Sequence, residues 1–103
     1  MWVEDNNDIQ MTVGDYGVAE PFHVSGVTLS QNDSVKFVFS NGIEKEYTPS
    51  NNGVELMFTA EESAQFRPGT YPYRLDWYRE GVFLCNLIPC GVLTVISKAG
   101  VSA

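Results

Sequence analysis

His23 is the only histidine in the chain and the first place to look for proton transfer. A general base needs an acid or a nucleophile within hydrogen-bond reach. No Ser or Asp stands at a spacing from His23 that a known catalytic arrangement uses, so a surface or strand-edge position is expected for it. Glu61-Glu62 offers two carboxylates, the groups that cleave glycosides. Neighbours within one helical turn point apart, which suits a capping and solvated role instead. Gly14-Asp15-Tyr16-Gly17 lacks the following Lys and the long helix of a phosphate loop. Asp5-Asn6-Asn7-Asp8 and Asn32-Asp33 carry oxygen ligands, but not in the spaced five- or six-ligand pattern of a calcium site. Cys85 and Cys90 flank Asn86-Leu87-Ile88-Pro89 with no His or Cys partner nearby, so they cannot close a tetrahedral zinc site. Buried or half-buried free thiols are expected there. These residues imply a chain that is not an enzyme and holds no cofactor or metal. The aromatics Trp2, Tyr16 and Tyr78 have the mixed character that interfaces prefer.

The 103 residues suit one domain spanning 1–103, with 1–7 and 98–103 expected as flexible tails. Hydrophobic content of 44% and aromatic content of 13% are enough for one core. The formal charge is −7, and the six basic residues are scattered rather than clustered. Phosphate binding needs clustered Lys and Arg, so neither nucleic acid nor an anionic membrane is an expected partner. No apolar run approaches the ~18 residues of a spanning helix. Met1 to Asp8 is acidic and lacks the basic and apolar segments of a signal peptide, so synthesis in the cytoplasm is expected.

Strand periodicity accounts for most of the chain. Tyr71, Tyr73, Leu75 and Trp77 fall on alternate positions and predict one long strand with all four on its core face. Ile9, Met11 and Val13 alternate in the same way, as do Val35, Phe37 and Phe39, and then Val54, Leu56 and Phe58. Pro21 cannot donate to a ladder, which predicts an edge or a bulge around Val18–Val24. After Phe39, a three-residue loop ending in Gly42 is expected, because a two-residue turn sets Glu44 and Glu46 on the buried face. That register puts Ile43 and Tyr47 inside, sets Lys36 against Glu46, and leaves Lys45 as a misfit. Thr59 and Glu62 form a capping box for about one helical turn before Pro68-Gly69.

A second three-residue loop, Arg79-Glu80-Gly81, is expected, since a two-residue one forces Glu80 to positive φ. It aligns Trp77 with Phe83, Leu75 with Cys85 and Tyr73 with Leu87, all facing the core. Tyr78, Val82, Leu84 and Ile88 then occupy the opposite face, too apolar for free contact with water, and are the candidate interface. Pro89-Cys90-Gly91 is expected to kink the chain before a last strand, Val92–Ile96.

Seven to nine short strands and one helical crossover predict an all-β protein, an antiparallel immunoglobulin-like β-sandwich. The order of motifs carries a resemblance. It runs from the early Gly-Asp turn through Val35-Lys36-Phe37, Thr59-Ala60-Glu61-Glu62-Ser63 and Pro68-Gly69-Thr70-Tyr71-Pro72-Tyr73. The Gly81 hairpin and Gly91-Val92-Leu93-Thr94-Val95 complete it. It resembles the N-terminal β-sandwich domain of baseplate and tail-tip proteins from phages and prophages of Gram-positive hosts, upper baseplate protein-like. The resemblance implies a non-catalytic virion structural protein, docking on other phage structural subunits and on itself as a homo-oligomer. The alternatives are a carbohydrate- or surface-binding module, with Trp2, Tyr16 and Tyr78 stacking on sugars, and a capsid decoration protein.

Overall fold

Two strands of unusual length carry the rest of the molecule: β7 (Gly69–Arg79) and β8 (Val82–Ile96). The computed structural model describes residues 1–4, 6–24 and 26–97. Before this hairpin come β1 (Trp2–Val3), β2 (Ile9–Thr12), β3 (Glu20–His23), β4 (Asp33–Phe39), β5 (Glu44–Tyr47), β6 (Gly53–Leu56) and a single helical turn, α1 (Ala60–Ser63). The protein is all-β. A six-stranded sheet has the order β1-β2-β8-β7-β4-β5, and β3 pairs with β6 in a second, two-stranded sheet. Sequence positions 98–103, expected as a tail, lie outside the described residues.

One pairing departs from the antiparallel expectation. β2 runs parallel to β8, Ile9 beside Leu93 and Met11 beside Val95, so the large sheet is mixed. A parallel pair needs a crossover too long for a hairpin; here nearly the whole domain separates the two strands. Within the leader, Trp2–Val3 pairs with Ile9–Gln10, and Met1 and Val3 pack on the core.

Phe37 lies at the centre of the core. Its ring sits 5.1 Å from Phe22 of β3, 6.3 Å from Phe39, 6.2 Å from Tyr47 and 6.1 Å from Tyr73. Tyr73 and Leu75 are buried and Tyr71 and Trp77 half-buried, as their spacing requires. β3 and β6 contribute Phe22, Val54 and Leu56 to the same core, and Phe58 and Phe66 close it beside α1.

The β4–β5 connection has the expected three residues: the Phe39 N–H donates to Ile43 O, and Lys36 stands opposite Glu46. Ile43 is buried and Tyr47 half-buried. Lys45, the misfit opposite Phe37, has a partner that the strand pattern could not reveal: its Nζ lies 2.6 Å from Glu62 Oε1. The same carboxylate accepts from Thr59 N–H as half of the capping box on α1. Burial alone pushes Glu62 upward, but the bonds from Lys45 and Thr59 outweigh it and its pKa is lowered. The box therefore also neutralises the one charge that β5 points inward.

The β7–β8 turn is shorter than expected. Arg79 pairs with Val82, so the loop is Glu80-Gly81 alone, with φ of 51° and 80°. Two successive left-handed residues form the turn whose twist matches a two-residue hairpin, and Glu80 accepts the strain that glutamate usually avoids. Three register shifts then follow along β8, between the partners of Tyr78 and Trp77, of Asp76 and Leu75, and of Leu75 and Tyr73. Each inserts an extra residue into β8 and re-aims what comes after it. Trp77 consequently faces Cys85, Leu75 faces Ile88 and Tyr73 faces Gly91, rather than Phe83, Cys85 and Leu87. Ile88, expected on the outer face, is buried in the core. Phe83, expected in the core, is exposed. The Pro89-Cys90-Gly91 segment bulges within β8 without ending it.

Candidate interaction surface

The molecule is 45 Å long and only 24 by 22 Å across, and β4 accompanies β7 to the turn, Asp33 beside Arg79. β2 flanks β8 along Leu93–Ile96, and Asp8 Oδ1 accepts the Val92 N–H at 3.2 Å. From Val82 to Gly91, no strand among the described residues lies on the side of β8 away from β7.

The terminal strands of both sheets are blunted. β1 has two residues. β5 is four residues long and carries Glu44, Lys45 and Glu46. β3 contains Pro21, which has no N–H to offer, and does lie at an edge. The outer rim of β6 is closed at Gly53 by reciprocal bonds with Ser50, and at Met57 by the Tyr47 hydroxyl, which both accepts from its N–H and donates to its carbonyl. Short length, charge, proline and capping are the devices that protect edges from pairing. The segment Val82–Cys90 has no charged residue, and only its bulges and Pro89 interrupt it.

This segment also exposes three consecutive large apolar side chains. Val82, Phe83 and Leu84 are 64%, 50% and 43% exposed. Tyr78 is half-buried, its ring edge-on to Phe83 at 5.7 Å and covered by Lys36 Nζ at 5.3 Å from the centroid. Of the four residues expected at an interface, Val82 and Leu84 are exposed on this arm, Tyr78 is half-buried there, and Ile88 is buried in the core. Phe83 belongs with Val82 and Leu84. Its signal was the Glu80-Gly81 pair read as a two-residue turn, which places Phe83 opposite Tyr78. Both thiols are free as expected but exposed, Cys85 on the arm and Cys90 at its base beside Pro89.

One polar group braces the arm against β4, and a second ties its two strands together. The Asp33 carboxylate, wholly buried, takes Arg79 Nε at 2.8 Å and Nη2 at 3.1 Å, and accepts from Ser30 N–H at 2.9 Å. Arg79 in turn lies over the Trp77 ring at 5.4 Å. The Arg79 bond, with that from Ser30, holds Asp33 well below the ordinary carboxylate value of 3.8. A depressed folded-state pKa gives stability that is present above the unfolded value and is lost as the pH falls through the folded one. Asp33→Asn is therefore expected to lower the urea midpoint at about pH 7 and to reduce the further loss between about pH 5 and pH 3. An acid loss as steep as in the wild type would show that other carboxylates govern it. Farther along, Asp76 is buried between Asn86 Nδ2 and Arg74 Nε, the latter at 3.0 Å.

The remaining chemistry-bearing residues do not converge. His23 is exposed on β3 and lines an open groove of about 550 Å³ with Pro21, Tyr47, Asn51, Glu55 and Met57. In this groove the Tyr47 hydroxyl is already committed to the Met57 backbone. Among the described residues, no three of His, Cys, Asp or Glu cluster as metal ligands, and no helix is long and apolar enough to cross a membrane. Trp2 stands opposite Gln10, itself beside Thr94, and Tyr16 follows the end of β2. They are thus about 30 Å along β8 from Phe83 and Tyr78, so the three aromatics proposed for sugar stacking do not form one platform. In comparisons with known proteins, no family model matches the chain and no curated protein is a significant match.

Proposed function

We propose that this chain is a non-catalytic assembly module, a phage or prophage virion structural protein of the tail or baseplate, that works through protein–protein contacts made by the β7–β8 arm. The observation that carries the reading is the uncharged edge of β8 that no strand among the described residues covers, with Val82, Phe83 and Leu84 in contact with water, whereas the terminal strands of both sheets are short, charged, interrupted by proline or capped. A large exposed apolar patch marks an interaction surface, and an open strand edge invites strand addition. The bulges limit any regular ladder to short stretches, so burial of side chains supplies most of the contact. The tail or baseplate setting rests on the motif order described above.

The finer reading of the fold belongs with this proposal. An immunoglobulin-like sandwich is supported by the order β8-β7-β4-β5 in one layer and β3-β6 in the other, the positions of strands G, F, C, C′ and B, E in that fold. It is further supported by a tyrosine corner: the Tyr71 hydroxyl, just before the body of β7, donates to Arg67 O at 2.8 Å and accepts from Arg67 N–H at 2.9 Å.

The test is particle composition. Purified particles induced from the source strain are expected to contain the chain, and particles carrying Leu84→Glu to lack it, while the isolated variant keeps its circular dichroism spectrum. Particles without the wild-type chain, or with undiminished Leu84→Glu, overturn the proposal.

A further inference from the structure

We propose that Asn52-Gly53 is a modification site, at which deamidation of Asn52 releases the connection between β3 and β4 and keeps it from closing again.

The fold itself demands this pair of residues. Asn52 has a φ of 56°, in the left-handed region that asparagine enters more readily than most side chains. Its half-buried amide clasps the β3–β4 connection. Nδ2 donates to Val24 O at 2.6 Å and to Val27 O at 3.0 Å, and Oδ1 accepts from Leu29 N–H at 2.7 Å. The Asn52 carbonyl also accepts the Val24 N–H at 3.0 Å. Gly53 has to be glycine, because a Cβ there would stand 2.7 Å from the Phe22 carbonyl of the paired strand. Side-chain bonds thus require Asn at 52, and a backbone contact requires Gly at 53. Together they make the dipeptide most open to deamidation, since a glycine leaves the attacking nitrogen unshielded.

In the reaction the Gly53 nitrogen gives its proton to solvent and attacks Asn52 Cγ. The N–Cγ bond forms, the Cγ–Nδ2 bond breaks, and ammonia leaves with a proton from water. Water then opens the cyclic imide to aspartate or isoaspartate, so amide and water become acid and ammonia with no change of oxidation state. In the folded chain both reacting groups are held. The Gly53 N–H donates to Ser50 O at 3.0 Å, and the Asn52 amide is bonded through both its nitrogen and its oxygen. The connection must therefore open before the reaction occurs. Afterwards a carboxylate oxygen takes the place of Nδ2 and faces the Val24 and Val27 carbonyls, three acceptors with no proton to share. Groups left without a donor in this way disfavour closure.

Asn41-Gly42 supplies an internal comparison. The Gly42 N–H is likewise bonded, to Phe39 O at 2.9 Å, and Asn41 Oδ1 accepts the Ile43 N–H at 3.2 Å. Asn41 is exposed, however, and among the described residues its Nδ2 has no hydrogen-bond partner. Peptide mapping of the native chain in mildly alkaline buffer is expected to find acid at Asn41, formed at least about tenfold faster than at Asn52. In urea the two rates should converge. The chain deamidated at Asn52 in urea and refolded, and the Asn52→Asp variant, should both exchange the Leu29 amide hydrogen at least about tenfold faster than the wild type, with the β4 amides still protected. The rate comparison needs the wild-type chain alone and does not depend on how Asn52→Asp folds. Conversion at Asn52 as fast as at Asn41 in the native chain, or no faster in urea than in the native chain, overturns the proposal. So does a Leu29 amide that is as protected after conversion as before.

Discussion

Phe37→Ala is expected to cost about 4 kcal/mol of folding stability, the largest effect of any single truncation in the protein. Phe37 is wholly buried, and its ring touches side chains from β3, β4, β5 and β7 within 5.1 to 6.3 Å. Removing it opens a cavity where the two sheets meet, and the surrounding rings, each held by other neighbours, can collapse only partly into it. In a domain of this size about 4 kcal/mol is a large part of the total and corresponds to a fall in melting temperature of roughly 20 °C. Urea or thermal unfolding measures it. Val38→Ala, the next residue on the half-buried outer face, is the control and should cost far less. A loss below about 1 kcal/mol for Phe37→Ala would mean that the two sheets do not share one core.

Gly91→Ala is expected to cost about 3 kcal/mol, although it adds one methyl group. A Cβ at Gly91 lands 2.4 Å from Tyr73 Cε1 and 2.6 Å from Cζ, distances that real contacts do not reach. The ring has little room to withdraw. It is buried between Phe37 and Phe39, at 6.1 and 5.6 Å, and its hydroxyl donates to the Asn7 carbonyl. The same burial, helped by the charge on Asp8, raises the Tyr73 pKa above its ordinary value of 10.0. An aromatic ring laid over a cross-strand glycine compensates for the side chain that the glycine lacks. The two positions should therefore be coupled. In Tyr73→Leu, Gly91→Ala is expected to cost at least 1 kcal/mol less than in the wild type, as a double-mutant cycle on urea midpoints would measure. Additive losses would show that the methyl group clashes with something other than Tyr73.

These residues also show how far the sequence could be read. The alternation from Tyr71 to Trp77 and from Val35 to Phe39 placed both strands and their inner faces, because a strand's period of two is a local property. The β4–β5 register was legible for an energetic reason: burying Glu44 and Glu46 costs several kcal/mol, more than any difference between turns. At Glu80-Gly81 the same kind of reasoning pointed the wrong way. The left-handed conformation costs Glu80 only about 1–2 kcal/mol, which the pairings along β7 and β8 can offset. Phe83 changed sides because the turn has two residues and not three; Ile88 comes to lie opposite Leu75 only after two bulges, and a bulge leaves no mark in a pattern of apolar and polar residues. Lys45 looked like a misfit because Glu62 is remote in sequence. The site suffered in the same way: the sequence indicated an apolar surplus in the hairpin, but not which of its residues meet water.

Composition and local periodicity thus determined on their own that this is an acidic, all-β domain with a long aromatic strand, a capped helical turn and an apolar hairpin. Only the tertiary structure decided that β2 joins the sheet in parallel, that Tyr73 closes over Gly91, and that β8 keeps one edge open beyond the reach of β2. The physical reason is the range of the forces. Side-chain alternation and capping act between residues a few positions apart, whereas the exposure of an edge depends on where strands remote in the chain happen to end.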